Sequence, residues 1–336
     1  MIQLSIIIIN YKSAALLLNC LKTIYAETEK ISFEVLVVDN YSEDQGKDEV
    51  QIEFPQVKWL QMSYNAGFAR ANNEGIRRAA GELILLLNPD TLIENHAIEA
   101  CCGKFSESEY AACGVQLINP DRTLQISGNY FTTGGLNYLL PLPYLGKLIK
   151  WLGKIFGAKI PHVAGSNLLT EVDWINGAFL MVKKTAIQVA GLLDEDFFLY
   201  AEEAEWCARL ARAGKLCIFG SITVVHLQGE TVSGLFGLSG KGYSNLYNRQ
   251  GLQVMLSNMV RIRKQFGVFW FLVQMLFFTL DIPIFLAGLI ISIALPEKFK
   301  AYNFQQFGQF SRHVFYVWRQ SLTIIRNRPH FYKVLP

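Results

Sequence analysis

The run Leu83–Thr91, LILLLNPDT, constrains this chain more than any other stretch. Five consecutive apolar residues make a strand buried on both faces, as in a parallel sheet covered by helices, and Pro89, with no N–H to give a ladder, must end it. Asp90 is thereby delivered at the carboxyl end of the strand, the edge of an open parallel sheet where ligands sit. Taken alone, that acid has two readings: a metal- or phosphate-site residue, or a turn acid capping the helix that starts near Glu94.

Leu4–Asn10, LSIIIIN, is a β-branched run, and Leu17, Leu18, Leu21 and Ile24 follow at helical spacing. Phe33–Asp39, FEVLVVD, is a second buried strand ending in an acid before a cluster of turn residues. A strand-helix-strand unit implies parallel pairing with a right-handed crossover. Val57–Met62 reads as a third strand, after which SYNAGFARANNEGIRRAAG runs from a glycine turn into a helix stopped by Gly81. The alternation predicts a doubly wound α/β sheet, with Asn10, Tyr11, Asp39, Asn88 and Asp90 lining one crevice at the strand ends.

At 336 residues the chain holds one large domain of about 220 to 240 residues plus an appendage. Its 51% hydrophobic content and mean hydropathy of +0.23 are high for a wholly soluble protein, and the excess lies in Tyr138–Ile160 and Gly267–Leu295. A net charge of +3 gives no reason to expect nucleic acid as a partner, whereas basic clusters beside the apolar stretches point to an anionic membrane surface. Six cysteines without CxxC spacing read as reduced packing residues, which fits cytosol, and no secretory signal is expected before the first strand. The loop after that strand, NYKSAALL, is no GxGxxG, and GxxxxGK[ST] is absent, which argues against a dinucleotide oxidoreductase and a P-loop enzyme. What remains is a crevice of side-chain acids and amides. It suits a nucleoside and, through a divalent cation, its diphosphate, since Mg²⁺ and Mn²⁺ prefer oxygen ligands and need few protein carboxylates.

Several segments, in order, carry a resemblance: SIIIINYKS, VVDNYSED, NAGFARANNEGIRRAAGELILLLNPDT, WINGAFLMVKK, and GLLDEDFFLYAEEAEWCARLARAG followed by VVHLQGET. The sequence resembles the family-2 glycosyltransferases of the GT-A fold, and within them the bacterial rhamnosyltransferase-like members, over about Ile2–Thr231. The resemblance implies a nucleotide-diphospho-sugar transferase fold, Rossmann-like and mostly parallel, over residues 1–240. Its nucleotide-binding half would be about 1–118 and its acceptor half about 119–240, with an amphipathic insertion at 138–160. Asn10 and Tyr11 would border base and ribose, Asp39 would recognise the base, and Asn65, Gly67, Arg70 and Asn73 would face nucleotide and sugar. Asn88 and Asp90 occupy the family's Asp-x-Asp position, with an amide for the first acid, so Asp90 would meet Mg²⁺ or Mn²⁺ and Asn88 the ribose or sugar.

Acids cluster again at Asp194, Glu195, Asp196, Glu202, Glu203 and Glu205, where Ala201–Ala213 has helical character. Inverting sugar transfer needs one carboxylate to take the acceptor hydroxyl proton, and the leaving diphosphate needs neutralising. By resemblance the Glu-Asp-x-Asp motif falls on Glu202, Glu203 and Glu205, with Glu203 the base. Both aspartates are glutamates here, an added methylene that moves the carboxylate by on the order of 1 Å. The plain alternative is acids complementing a helix dipole. Gly177 and Trp174 would flank the acceptor. His226, at a strand end, is either a second metal ligand by resemblance or a hydrogen-bonded structural histidine.

The segment around Lys147, Lys150, Lys154 and Lys159 sets lysines against Trp151 and leucines. That is the pattern of a helix lying on a membrane, against a lid or core helix with snorkelling lysines. Residues 241–336 are expected to form a helical, membrane-associated appendage. Gly267–Leu295 is long enough to span once with tilt, but Asp281 and Pro283 in its middle favour a re-entrant pair of half-helices as the competitor, with a soluble helix pair the bland case.

The whole predicts an inverting transferase at the cytoplasmic face of the cell membrane. Its donor would be a UDP- or dTDP-sugar, dTDP-rhamnose among them, and its acceptor a glycan or lipid-linked glycan of the cell envelope. The alternative is a catalytically silent relative that binds sugar or scaffolds an assembly complex. Oligomeric state stays open.

Overall fold

The computed structural model describes residues 2–155, 157, 162–163, 165–166, 168–227, 246–294, 296 and 301–335. The end of the amphipathic insertion, Glu230 and Thr231 after His226, and the charges flanking the apolar run at Glu297, Lys298 and Lys300 lie outside them. The chain divides into two compact units: Met1–Tyr130 with His162–Phe198 and Glu202–Ser239, and Phe131–Pro161 with Leu199–Ala201 and Gly240–Pro336.

The first unit opens with β1 (Leu4–Asn10), α1 (Ala14–Glu27), β2 (Phe33–Asp39), α2 (Gly46–Glu53), β3 (Lys58–Gln61), α3 (Gly67–Arg78) and β4 (Leu83–Leu87). These strands pair in parallel in the order β3-β2-β1-β4, as the alternation of strand and helix requires. The central strands are buried almost throughout, which is why they read as unbroken Ile, Val and Leu.

Beyond β4 the order is β5 (Thr91–Leu92), α4 (Ala97–Ser106), β6 (Ala112–Ile118), β7 (Gly128–Asn129), α5 (Leu145–Ile155, in the second unit), β8 (His162–Val163), β9 (Leu169–Val172), β10 (Trp174–Ile175), β11 (Phe179–Lys183), α6 (Lys184–Ala190), α7 (Glu202–Leu210) and β12 (Leu216–His226). The stretch WINGAFLMVKK does not form one strand. Its first part joins β7 and β8 in a small second sheet, and after the Gly177 turn β11 enters the main sheet antiparallel between β4 and β6. β12 runs parallel to β6, and its last residues pair with β5, which places His226 opposite Thr91.

At the amino ends of the strands one carboxylate ties several segments. Glu34 accepts from Ser5 Oγ (2.6 Å), Lys58 Nζ (2.6 Å) and Ala80 N (2.7 Å), while Ser5 Oγ accepts from Gly81 N (2.8 Å). The turn before β4 is thereby pinned to β1 and β2, at the opposite edge of the sheet from Asp39 and Asp90.

The second unit contains a 3-10 segment at Thr133–Leu139, α5, α8 (Arg249–Phe266), α9 (Val268–Ile293) and α10 (Phe304–Arg326). Asn248 caps α8 by accepting from Gly251 N (2.8 Å). Of the alternatives for this run, the pair of half-helices is not formed: α9 runs unbroken through Pro283. Phe278 and Phe285, on either side of that proline, both pack on Phe310, so tertiary contacts hold the helix where a missing N–H would break it. Among the described residues α9 is the one helix long and apolar enough to cross a membrane. Its polar residues point inward: Gln274 donates to the carbonyls of Gly134 (3.0 Å) and Gly135 (2.9 Å), and Asp281 is fully buried.

Candidate active site

The site is built at the carboxyl ends of β1, β2 and β4. In-register pairing sets Asn10 beside Asp39, and Asn10 Nδ2 donates to Asp39 Oδ1 at 2.7 Å. The second carboxylate oxygen accepts from Gln61 Nε2 (2.6 Å) and Ser42 N (3.0 Å). Such donors fix a buried carboxylate in one orientation. Asp39 lines a cleft of about 470 Å³ with Tyr41, Lys47, Trp59 and Gln61. Tyr11, half-buried after Asn10, lies under Lys12, whose Nζ is 5.6 Å from the ring centroid.

The next loop is held by Asn40, whose Oδ1 accepts from Ala66 N (2.8 Å) and whose Nδ2 donates to Asn65 Oδ1 (3.1 Å). Gly67 then turns with φ +75°, and a Cβ on it would sit 2.2 Å from Phe198 O. Only glycine satisfies both demands.

Asp90 follows the strand-ending proline and is 4% exposed. Its backbone carbonyl accepts from Leu227 N at 2.9 Å, so the β5–β12 pairing brings His226 alongside, with His226 Nε2 3.4 Å from Asp90 Oδ1. Gln125 orients the ring. Its Nε2 donates to His226 O (2.6 Å) and Asn119 Oδ1 (2.7 Å), which leaves Oε1 facing His226 Nδ1 at 2.9 Å. A carbonyl oxygen only accepts, so Nδ1 carries a proton, and Nε2 is the nitrogen that faces Asp90 and would be the one free to hold a cation. Asp90 Oδ1 is buried without a hydrogen-bond partner. One carboxylate oxygen and one imidazole nitrogen, both electron donors and both buried, make a pair that a divalent cation fits.

Asn88 links this corner to the acid helix. Its N–H donates to Ala178 O at 3.1 Å, next to Gly177. A methyl group on Gly177 would lie 3.8 Å from Glu203 Cβ and 3.7 Å from Phe68 Cζ, ordinary contact distances that set this glycine against Glu203 and Phe68. Glu202 and Glu203 are buried in the first turn of α7. The backbone entering that turn is strained, since Tyr200 and Ala201 are left-handed at φ +71° and +67°. Trp174 is half-buried on β10, with its indole N–H buried and unbonded.

Three residues expected at the site make hydrogen bonds to neighbouring segments. Asn73 is wholly buried: its Nδ2 donates to Leu193 O (2.9 Å) and Glu195 Oε1 (3.1 Å), and its Oδ1 accepts from Leu193 N (3.0 Å). Arg70 donates from Nε to Glu195 O (3.0 Å) and from Nη1 to Tyr64 OH (3.2 Å). Glu205 forms a forked ion pair with Arg209, whose Nη1 in turn donates to the carbonyls of Ala190 (2.5 Å) and Leu192 (2.8 Å) at the end of α6. These three dock α3 and α7 on the segment between α6 and α7. Sequence reading had no signal for Gln125, Asn40, Ser42 or Gln61, whose residue types are ordinary in turns and at sheet edges.

Residues 5–166 match the family model described as glycosyl transferase family 2. The chain carries a glycosyl transferase family 2 domain. The chain is 28% identical over 215 residues to the low-salt glycan biosynthesis hexosyltransferase Agl10 of Haloferax volcanii, an alignment that takes in 62% of each protein. It is 25% identical over 239 residues to the N-acetylglucosaminyl-diphospho-decaprenol L-rhamnosyltransferase of Mycobacterium tuberculosis, over 66% of this chain and 75% of that one. The same identity holds to the dTDP-rhamnosyl transferase RfbF of Shigella flexneri, over 69% and 72%. In fold, the mannosyltransferase PcManGT from Pyrobaculum calidifontis, solved in complex with GDP-Man and Mn²⁺, superposes with a TM-score of 0.54 over 95% of this chain and 87% of that chain, at 14% identity. The family-2 domain thus has a GT-A-like sheet, with the C-terminal apolar helix α9 beyond the matched residues.

Proposed function

We propose that the family-2 domain is an inverting transferase that moves a sugar from a pyrimidine nucleoside diphosphate to a glycan or lipid-linked acceptor, with Asp90 and His226 holding Mg²⁺ or Mn²⁺. The observation that carries this reading is the buried pair Asp90 Oδ1 and His226 Nε2, 3.4 Å apart, with the carboxylate oxygen unbonded. When bound, the cation neutralises the diphosphate that leaves.

The rest falls to the chain's own side chains. Asp39, locked by Asn10, Ser42 and Gln61, offers an acceptor to the N3–H of uracil or thymine. Asn88 and Asn65 face ribose and sugar, and Gly67 keeps the loop backbone close. Glu203 takes the proton of the acceptor hydroxyl as that oxygen attacks the anomeric carbon. The bond from the anomeric carbon to the phosphate oxygen breaks with its electron pair on the diphosphate. Trp174 N–H and Glu202 border the acceptor. A dTDP-rhamnose donor and a lipid diphosphate acceptor are supported by the names of the bacterial relatives. A lipid-linked acceptor also gives the apolar helices of residues 241–336 a purpose at the cytoplasmic face of the membrane.

The test is nucleoside diphosphate release from a panel of UDP- and dTDP-sugars with Mn²⁺ or Mg²⁺. Asp90→Asn and Glu203→Gln are each expected to lower turnover by roughly 10²-fold or more. Turnover unchanged by either substitution defeats the assignment.

A further inference from the structure

Charge is divided very unevenly between the two units. The second unit holds 16 of the 31 Lys and Arg residues but 2 of the 28 Asp and Glu residues, a formal +14 against −11 for the first. Of its two acids, the described one, Asp281, is fully buried. Its outward faces are therefore basic and apolar together.

Two helices of this unit display that combination, and a third displays the apolar part alone. On α5, Leu148, Trp151, Leu152 and Ile155 are exposed among Lys147, Lys150 and Lys154. On α10, Arg312, Phe315, Arg319, Leu322 and Arg326 recur at helical spacing on one exposed stripe. On α9 the outer face is purely apolar: Phe269, Leu272, Leu276, Leu280, Ile290 and Ile291 are all exposed. Long cationic side chains beside aromatic and aliphatic ones suit a headgroup boundary, where the stems stay in the apolar layer and the charges reach phosphate.

We infer that the second unit seats on an anionic phospholipid leaflet from one side, with α9 lying in the headgroup plane and not crossing the bilayer. The partner of α9 excludes a crossing. Trp318 Nε1 donates to Thr279 Oγ1 at 2.8 Å, and Phe310 packs on both Phe278 and Phe285, so α10 runs antiparallel along the middle of α9. Were α9 to span, Arg319, one residue from that bond, would sit at the bilayer centre, where a guanidinium is strongly disfavoured. Laid flat, α9 puts its apolar stripe into the leaflet while the arginines of α10 stay at phosphate level. This refines the membrane attachment proposed above and is independent of the chemistry at Asp90.

All six native cysteines are buried, so single surface cysteines can be labelled in the full chain. Phe269→Cys, Leu280→Cys and Ile291→Cys lie on one stripe of α9, since eleven residues are close to three whole turns. Each would carry an environment-sensitive fluorophore and be read with lipids quenched at shallow or deep acyl positions, in vesicles with and without about one-third phosphatidylglycerol, a content high enough for surface potential to act. The expected result is binding to the anionic vesicles, the same shallow depth at all three positions, and at least tenfold weaker partitioning for the triple variant Lys147→Glu, Lys150→Glu, Lys154→Glu. A label deepest at position 280 with 269 and 291 shallow means a span and overturns the inference, as does partitioning unchanged by charge reversal. Failure to bind either vesicle, with self-association by sedimentation, would assign the face to a second copy of the chain. Sugar-donor hydrolysis in detergent, run on the same samples, reports separately on the transferase reading.

Discussion

A side chain's type tells less than where its atoms are spent, and Gln125 illustrates this. It sits outside every motif, yet it holds both the backbone carbonyl and the Nδ1 of His226. Replacing it with methionine should free the ring to rotate and lower Mn²⁺ affinity by on the order of tenfold, as outer partners of metal ligands do. Titration calorimetry with Mn²⁺ alone checks this, and unchanged affinity would remove Gln125 from the site. Gly67 makes the converse case, where the constraint is backbone. With φ +75° and Phe198 O in the way, Gly67→Ala should destabilise the protein by about 2 kcal/mol or more, read from urea unfolding. The places of Asp39, Asp90 and His226 could be read because a strand end fixes where a polar residue goes. The loop contacts of Asn73, Arg70 and Glu205 could not be read, because an amide, a guanidinium and a carboxylate look the same in sequence whether they meet a ligand or a neighbouring loop.

Among elements, the parallel strands and their helices could be read because long apolar runs and helical spacing persist over many residues. The two-residue strands β5, β7, β8 and β10 could not, since two residues have no period, and β5 is the strand that pairs His226 beside Asp90. The cluster around Glu34 escaped as well, although it fastens β1, β2, β3 and the turn before β4. Burial pushes the Glu34 carboxyl up, but Lys58, the Ser5 hydroxyl and the Ala80 N–H outweigh it, and the group ends below its ordinary 4.5. A carboxyl lowered in the folded state adds stability above the unfolded value near 4.5, and that stability is lost as pH falls through the folded value. Glu34→Gln should therefore cost about 1 to 2 kcal/mol at pH 7, with the gap to the parent closing as the pH falls below 4.5 and through the lowered folded value. Thermal unfolding followed across pH measures it, and a gap independent of pH would show that packing, not charge, accounts for the loss.

For the whole molecule, two cores imply two separable responses. The sheet core of the first unit is aliphatic and shared by α1, α4 and the central strands. The second has its own aromatic packing around Phe278, Phe285 and Phe310. Hydropathy sets residues 241–336 apart in the sequence, but that the segment carrying α5 groups with the C-terminal helices leaves no local pattern, because the association is long-range. A ligand stabilises the unit that binds it in proportion to RT ln(1 + [L]/Kd). Mn²⁺ with a nucleoside diphosphate, at concentrations about 100-fold above their Kd, should stabilise the first unit by about 2.7 kcal/mol and leave the second nearly unmoved. Anionic vesicles should do the reverse, and added salt should cancel the vesicle effect while sparing the metal effect, because exposed charges are screened and a buried pair is not. Calorimetry of the full chain should accordingly resolve two transitions that the two ligands move one at a time. A single transition raised equally by both would mean that the two cores melt as one.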